Sequence, residues 1–189
     1  MENFRESARD WCREGHDYRW RILFLLYGVF LAWKISLRPE TFTPIDFLDL
    51  GIHELGHVLF MPFGEWIGVL GGSLTQILAP IYGIWQFLRQ RDFFAASFAI
   101  AWLGESLGNL SVYIGDARSQ ELPLANLFGG DPIHDWNYLL SSVNRLGMDT
   151  KYALLVRGLG LACVLAFLWT GTWMLWQMYC HGEEEKKVG

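Results

Sequence analysis

Long apolar stretches with almost no charged residues dominate the hydropathy pattern of this chain. Three of them contain no Asp, Glu, Lys or Arg apart from Glu105: residues 66–88, 93–115 and 158–180. A stretch of about 20 apolar residues is long enough for a helix to cross the hydrocarbon core of a bilayer. Two shorter apolar segments cover residues 20–37 and 45–61. The pattern therefore predicts an all-α, polytopic membrane bundle of about five membrane-embedded helices.

Basic residues give a less regular picture of how the chain crosses the membrane. Arg21 and Lys34 lie near the two ends of the first apolar segment, so we expect their long side chains to snorkel to the lipid head groups. The N-terminal arginines favour a cytoplasmic N-terminus. If every segment spans the membrane, the pair of basic residues after residue 88 and the pair near the C-terminus lie on the outer side of the membrane. Either the positive-inside bias is weak here, or residues 45–61 form a re-entrant segment.

The two termini are more polar than the rest of the chain. We expect residues 1–19 to form a surface segment with a short interfacial helix, residues 20–181 the membrane-embedded domain, and residues 182–189 a charged tail. This organisation implies membrane lipid as a partner. We expect an integral protein of a prokaryotic cytoplasmic membrane.

Composition narrows the classes of function. Hydrophobic residues make up 52% of the 189 positions and charged residues 19%, which excludes a disordered chain. The 15 basic and 20 acidic residues leave a net charge of -5, so no basic surplus indicates a nucleic-acid ligand. The three cysteines form no CxxC pair, so we expect no disulfide framework.

The segment at residues 45–61 carries an HExxH motif, His53 to His57. Thr43, Pro44 and Asp46 upstream are typical of a helix start, as N-cap, first and third helical residue. Two histidines four residues apart then lie on one helix face, where both can bind a single zinc ion.

Two acidic residues beside the histidines fit roles in the same site. Glu54 is placed to take a proton from a water activated by the metal. Asp49 lies one turn before His53 and could accept the N–H of its imidazole. The motif arises by chance in roughly one such chain in a hundred, and the alternative is a packed helix whose histidines bond to carbonyls. Ionisable residues inside an apolar segment are costly and usually functional, which favours the metal site.

A catalytic zinc site has three protein ligands, so the two histidines need a partner. One helix face carries four polar residues at helical spacing: Glu105, Asn109, Tyr113 and Asp116. Asp116, at the end of this series, is the first candidate ligand. The second is His134, because Asp131 and Pro132 predict a helix to about Leu146 whose first turn contains His134 and Asp135. Spacing does not choose between Asp116 and His134.

At these residues the chain resembles the site-2-protease type of membrane-embedded zinc metalloproteases, the M50-like peptidases. The resemblance covers residues 45–116 and rests on three features: the HELGH motif at 53–57, the glycine-containing segment at Gly71-Gly72 and 76–80, and Asn109 with Asp116 in a later span. It implies that Asp116 is the third zinc ligand and that Asn109 lies near the substrate. His134 would then be a fourth ligand or a transition-state donor, or the two roles are reversed.

These features predict an intramembrane zinc protease that cleaves a transmembrane or membrane-proximal protein substrate. The backbone of Gly71-Gly72 could pair with an unwound substrate strand. Two alternatives remain, a metal-binding transporter or sensor and an inactive relative that acts as a binding partner. The assigned residues are Glu54 as the general base; His53, His57, Asp116 and His134 for Zn²⁺; and Asp49, Gly71, Gly72, Gln76, Glu105, Asn109 and Asp135 in contact with the substrate or behind the metal ligands. The oligomeric state is left open.

Overall fold

The computed structural model describes residues 4–123 and 134–188, and it contains no strand within these ranges. Within these ranges the structure contains seven α-helices: α1 Phe4–Cys12, α2 Ile22–Leu37, α3 Pro44–Phe60, α4 Glu65–Arg89, α5 Phe93–Gly115, α6 Asp135–Ser142 and α7 Asp149–Val188. The all-α prediction is confirmed, and five of these helices coincide with the five apolar segments.

Helix α3 begins as its sequence predicts. The hydroxyl of Thr43 accepts the main-chain N–H of Asp46 at 3.4 Å, and the Asp46 carboxylate accepts the N–H of Thr43 at 2.6 Å. This reciprocal capping box satisfies two donors that a helix start leaves unpaired. A 3-10 turn, Met61–Phe63, follows the helix and ends at Gly64, whose φ of 109° disfavours any other residue. The chain reverses there into α4.

Glycines let α3 and α4 pack with their backbones close together. A Cβ atom placed on Gly71 would lie 2.7 Å from the carbonyl oxygen of Gly56, and one placed on Gly56 would lie 2.6 Å from Thr75 Oγ1. Neither position has room for a side chain. The close crossing brings the HExxH face of α3 directly against α4.

The hydrophobic core lies on the other side of the bundle, where α5 packs against α7 and α2. Leu31 and Ile35 of α2 are buried there with Val164 and Phe167 of α7. Helix α1 covers one end of this core through Trp11 and Cys12. The core fixes α5 between α7 and the α3–α4 hairpin, so that the polar face of α5 points at α3.

Two helices among the described residues are long and apolar enough to cross a membrane: α4 and the stretch Leu146–Glu184, which contains most of α7. The expectation of five membrane-embedded helices is therefore met only in part. Helix α2 is apolar but has only 16 residues. Helix α3 has 17 residues and carries the ionisable side chains of the motif. Glu105 interrupts the apolar sequence of α5.

Helix α6 is shorter than its sequence predicts. It begins at Asp135 with His134 as its N-cap and ends at Ser142, whereas the predicted helix ran to about Leu146. Asp131 and Pro132 lie outside the described residues. Helix α7 continues through the charged C-terminal segment to Val188.

Candidate metal centre

The two histidines of the HExxH motif lie side by side against α4, with ring centroids 4.8 Å apart. His53 Nδ1 lies 3.1 Å from the amide oxygen of Gln76, and His57 Nδ1 lies 2.9 Å from the carbonyl oxygen of Gly68. Because a carbonyl oxygen only accepts hydrogen bonds, each Nδ1 donates. Each Nε2 points the other way, towards Asp135, and is the atom that would bind a metal once it has lost its proton.

The carboxylate of Asp135 lies beside the Nε2 atoms of both histidines. Its Oδ2 lies 2.9 Å from His53 Nε2 and 3.2 Å from His57 Nε2. One donor atom from each of these three residues lies within 4.8 Å of the others, so the group could hold a metal ion. His53 and Asp135 are buried and His57 is half-buried. Two imidazoles and one carboxylate converge where α3, α4 and α6 meet.

The first turn of α6 holds Asp135 in place. Its main-chain N–H donates to the hydroxyl of Tyr113 at 3.0 Å, and the indole N–H of Trp136 donates to Ser73 at 3.1 Å. These bonds tie α6 to α5 and to α4. Burial alone would raise the pKa of Asp135, but hydrogen bonds with His53 and His57 lower it below its ordinary value. The Asp135 side chain is therefore an anionic carboxylate, the form that binds metals.

Asp116 and His134, the two residues expected to complete the site, pair with each other instead. His134 Nδ1 accepts the N–H of Asn137 at 3.3 Å, which leaves the proton on Nε2 to be donated to Asp116 Oδ2 at 3.2 Å. Asp116 also accepts the main-chain N–H groups of Glu121 and Leu122. Both residues are thus occupied by local bonds, and the place expected for either of them is taken by Asp135.

Hydrogen bonds also decide the ionisation of Asp116. Burial raises its pKa, but the hydroxyl of Ser119 and the N–H groups of Glu121 and Leu122 more than offset this. The pKa of Asp116 is therefore lowered, and its carboxylate caps the turn after α5.

Gly71 and Gly72 do not form the strand-pairing backbone that the sequence suggested. Both lie inside α4, where the helix uses their N–H and C=O groups. Gly72 acts through its missing side chain, since a Cβ there would lie 2.5 Å from His53 Nε2 and 2.7 Å from His57 Cε1. The glycine leaves the space into which the two imidazole rings fit.

Asp49 and Glu105, which were expected to support the metal ligands, have other partners. Asp49 accepts the indole N–H of Trp102 at 2.8 Å and the hydroxyl of Ser106 at 2.7 Å, not the imidazole of His53. Glu105 is 0% exposed and accepts hydrogen bonds from Tyr27, Lys34 and Thr43. Both carboxylates face the interior of the bundle.

Lys34 does not snorkel. It is 2% exposed, and its ammonium group lies 2.9 Å from Glu105 Oε1 and 3.0 Å from Asp46 Oδ2. This pairing could not be predicted from the sequence, because Asp46 and Glu105 lie 12 and 71 residues from Lys34 and on other helices. A buried cation therefore lies between α2, α3 and α5.

A cavity of about 490 Å³ lies beside His53. Its polar lining includes His53, Glu54, Gln76 and Asn109, and Tyr113 of α5 forms part of the wall. The volume falls within the range of small-molecule and cofactor sites, about 300–1,000 Å³. A ligand in this cavity would meet both Glu54 and the ring of His53.

Comparisons of the chain with protein-family models, with curated proteins and with solved structures found no match. The chemistry of the site therefore has to be argued from its own residues.

Proposed function

We propose that this chain is a membrane-embedded zinc metallohydrolase that cleaves peptide bonds in a transmembrane or membrane-proximal protein. The observation that carries the proposal is the convergence of His53 Nε2, His57 Nε2 and Asp135 Oδ2, together with a cavity lined by His53 and Glu54. Catalytic zinc sites have three protein ligands of these types and keep a position open for water or substrate.

The residues present fit zinc. Both imidazoles donate Nδ1–H to a carbonyl oxygen, which leaves Nε2 of each ring to bind the ion, and the third ligand is an ionised carboxylate. When bound there, zinc would act as a Lewis acid and make water nucleophilic near neutral pH. His53, His57 and Asp135 would hold the ion, with Gln76 and Gly68 fixing the orientation of the two rings.

Glu54 would carry the proton of the hydrolysis. It follows a metal ligand directly in the sequence and lines the cavity with it, so its carboxylate can accept a proton from the attacking water. It can then return that proton to the amine that leaves when the peptide bond breaks. The apolar part of the cavity wall, which includes Leu50 and Val112, would accommodate the side chains of the cleaved segment.

The side chains that α3 exposes indicate that lipid surrounds this helix. Its ionisable side chains are buried and its apolar ones are exposed, which is the reverse of a helix at a water-exposed surface. Asp46, Asp49 and His53 are buried, whereas Phe47 is 70% exposed and Val58 is 52% exposed. A helix at a water-exposed surface turns its apolar face inward. In a bilayer, ionisable side chains face the protein interior and apolar ones face lipid, which is the arrangement of α3.

The two long apolar helices show the same outward face. Only 33% of the apolar window of α4 and 22% of that of α7 are buried, and Trp169 of α7 is 80% exposed. Soluble monomers rarely expose contiguous apolar patches beyond about 600 Å². We infer that lipid covers these helices.

The experiment that tests the proposed function compares Glu54→Gln with the wild-type protein. Full-length protein purified in detergent is loaded with zinc, and cleavage of fluorescently labelled casein is followed, since this unfolded chain needs no helix unwinding. Loss of a general base lowers the rate by about 10²–10⁴-fold, while the zinc content stays at that of the wild type. Glu65→Gln, on the exposed start of α4, makes the same chemical change away from the site and should keep the wild-type rate.

The same comparison separates the proposal from a metal transporter, a metal sensor or an inactive relative. Each of these needs the metal ligands but not the proton acceptor, so none predicts a specific effect of Glu54→Gln. A wild-type protein that binds zinc but cleaves no casein, or an unchanged rate in Glu54→Gln, would contradict the proposed hydrolase.

A further inference from the structure

The candidate metal centre lies near one end of the helix bundle, which we call the metal end. Gly68 and Gly72, which contact the two histidines, are within the first eight residues of α4. Tyr113, whose hydroxyl accepts the N–H of Asp135, is the third-last residue of α5. At 1.5 Å per residue these positions are about 3–11 Å from the nearer helix ends and about 25–32 Å from the far ends. In a bilayer whose hydrocarbon core is about 30 Å thick, the centre is thus close to one surface.

The opposite end of the bundle, the N-terminal end, collects three segments that are far apart in sequence. The ring of Trp11 in α1 contacts that of Phe93 at the start of α5, with centroids 6.2 Å apart. Tyr18, just before α2, contacts Tyr179 in the C-terminal part of α7 at 5.7 Å. The N-terminal segment, the turn between α4 and α5 and the last turns of α7 therefore share one side of the bundle.

Most basic residues of the chain belong to the segments at the N-terminal end. Nine of the 15 do so: Arg5, Arg9, Arg13, Arg19, Arg21, Arg89, Arg91, Lys186 and Lys187. Apart from the buried Lys34, the others are Arg38, Arg118, Arg145, Lys151 and Arg157. An excess of Lys and Arg in short segments next to membrane helices marks the cytoplasmic side. The charges therefore place the N-terminal end in the cytoplasm and the metal end on the other side.

Helix α3 occupies only the half of the bundle that lies towards the metal end. Thr43, its N-cap, donates its hydroxyl proton to Glu105, which is about 18 Å along α5 from the N-terminal end. Beyond the other end of α3, Met61 lies against Gly68, where a Cβ atom would be 3.0 Å from the Met61 Cα. The helix thus begins in the middle of the bundle and ends at its metal end.

Helices α2 and α3 together make one crossing. Lys34, near the end of α2, lies 2.9 Å from Glu105 and 3.0 Å from Asp46 in the first turn of α3. The chain therefore climbs to mid-depth in α2 and completes the passage in α3. In the part of the chain that the structure describes, this crossing is followed by those of α4, α5 and α7. Four crossings return the α4–α5 turn and the C-terminus to the side of the N-terminus, which removes the conflict between the basic pairs and the positive-inside rule.

The cavity beside His53 reaches the surface at the metal end. Leu122 and Pro123, which line it, follow the end of α5 and so lie beyond the helical part of the bundle. Glu40 and Phe42 of the α2–α3 loop form another part of its wall, and both side chains are exposed. A polypeptide at this surface would reach the cavity without crossing the bilayer, whereas one on the cytoplasmic side would have to pass about 25 Å of apolar helix.

We propose that the metal centre is open to the extracytoplasmic side of the membrane and acts on extracytoplasmic protein segments that lie at the membrane surface. The proposal rests on the proposed function only for the hydrolysis itself. The side from which the site is reached follows from the position of the centre, the partial depth of α3 and the distribution of basic residues.

Cleavage from each side of the membrane tests the substrate class. Spheroplasts of a bacterial host that expresses the full-length chain expose its extracytoplasmic face, and inverted membrane vesicles from the same cells expose the cytoplasmic face. Fluorescently labelled casein crosses neither membrane. We expect the wild type to cleave casein added to spheroplasts and to lose this activity in inverted vesicles, with Glu54→Gln as the control for host proteases in both. Cleavage that depends on Glu54 and occurs in inverted vesicles would overturn the proposal.

A second measurement needs no substrate and no variant. The impermeant chelator EDTA is added to spheroplasts or to inverted vesicles, and the zinc content of the wild-type protein is measured after purification. EDTA should remove the zinc in spheroplasts and leave it in inverted vesicles, and the reverse result would overturn the proposal. A protein that loses zinc on the expected side but cleaves casein on neither would contradict the proposed function alone.

Labelling of single cysteines tests the orientation of the chain itself. Ser141 in α6, at the metal end, and Gln90 in the α4–α5 turn are both exposed. Each is replaced by cysteine in a chain whose three native cysteines are alanine, and this cysteine-free chain is the control. An impermeant maleimide should label Ser141→Cys in spheroplasts and Gln90→Cys in inverted vesicles. Labelling of Gln90→Cys in spheroplasts, or of Ser141→Cys in inverted vesicles, would refute the orientation and with it the proposal.

Discussion

A methyl group added at Gly72 tests the geometry of the metal centre directly, because both HExxH histidines pack on that position. A Cβ atom there lies 2.5 Å from His53 Nε2 and 2.7 Å from His57 Cε1. Ordinary van der Waals contact begins at 3.4 Å, so the His53 ring would have to retreat by 0.9 Å. The substitution Gly72→Ala should therefore abolish zinc binding.

The expected change in the free energy of unfolding combines two opposing contributions. Overpacking a close-packed interior costs about 1–3 kcal/mol. Replacing a glycine by alanine inside a helix returns about 0.5–1 kcal/mol, so Gly72→Ala should lose roughly 0–2.5 kcal/mol of unfolding free energy. Zinc–ligand distances tolerate shifts of about 0.2 Å, far less than the His53 ring must move. The zinc affinity should fall by more than the roughly 10–100-fold that the loss of a supporting residue causes.

The assay measures zinc affinity by chelator competition and stability by thermal unfolding of the metal-free protein. Gly83→Ala is the matched control on the same helix, because a Cβ there lies no nearer than 3.7 Å to any side chain. It should keep the wild-type zinc affinity and gain about 0.5–1 kcal/mol. If Gly72→Ala and Gly83→Ala bind zinc equally well, the histidines do not occupy the positions described and the reasoning fails.

Three further predictions concern the third ligand, the buried cation and the loop after α5. Asp135→Ala should lose bound zinc, whereas Asp116→Ala should retain it; zinc content measured after dialysis decides, and the reverse result would return Asp116 to the metal. Lys34→Met leaves the carboxylates of Asp46 and Glu105 buried without a cation, so thermal unfolding should show a loss of about 3–5 kcal/mol, against about 0.5 kcal/mol or less for the exposed control Lys151→Met. The lowered pKa of Asp116 means that its charge stabilises the fold above the ordinary Asp value of about 3.9 and that this contribution is lost as the pH falls through the folded value. The difference in unfolding temperature between wild type and Asp116→Asn should thus be full above about pH 5 and shrink in acid, and a pH-independent difference would contradict it.

The features that the sequence predicted well depend on local interactions. The start of α3 follows from Thr43, Pro44 and Asp46, whose capping bonds span only three residues. The shared face of His53 and His57 follows from helical geometry alone. The five apolar segments form helices, and the apolar pattern of each segment predicts this without information about the other segments.

The proposed third ligand could not be predicted in this way, because its position depends on how α6 docks. Asp116, His134 and Asp135 are all polar residues near helix ends, and His134 and Asp135 are adjacent in sequence. Asp135 reaches the metal centre because Tyr113 and Ser73 bind the first turn of α6. These contacts cannot be deduced from the spacing of residues along the chain. Lys34 is a similar case, since a cation near a span end has the same sequence pattern whether it snorkels or pairs inside.

Asp46 connects the predictable part of the site to the part that only the fold could show. As third residue of α3 it closes the capping box, and from the same position its other oxygen anchors Asn109. His53 lies seven residues further on, which is close to two helical turns, so both side chains point to the same buried face. One residue inserted between them would rotate His53 by about 100° away from Gln76 while leaving the helix start intact. The residue that begins the helix therefore also sets the register in which the metal ligands meet their supports.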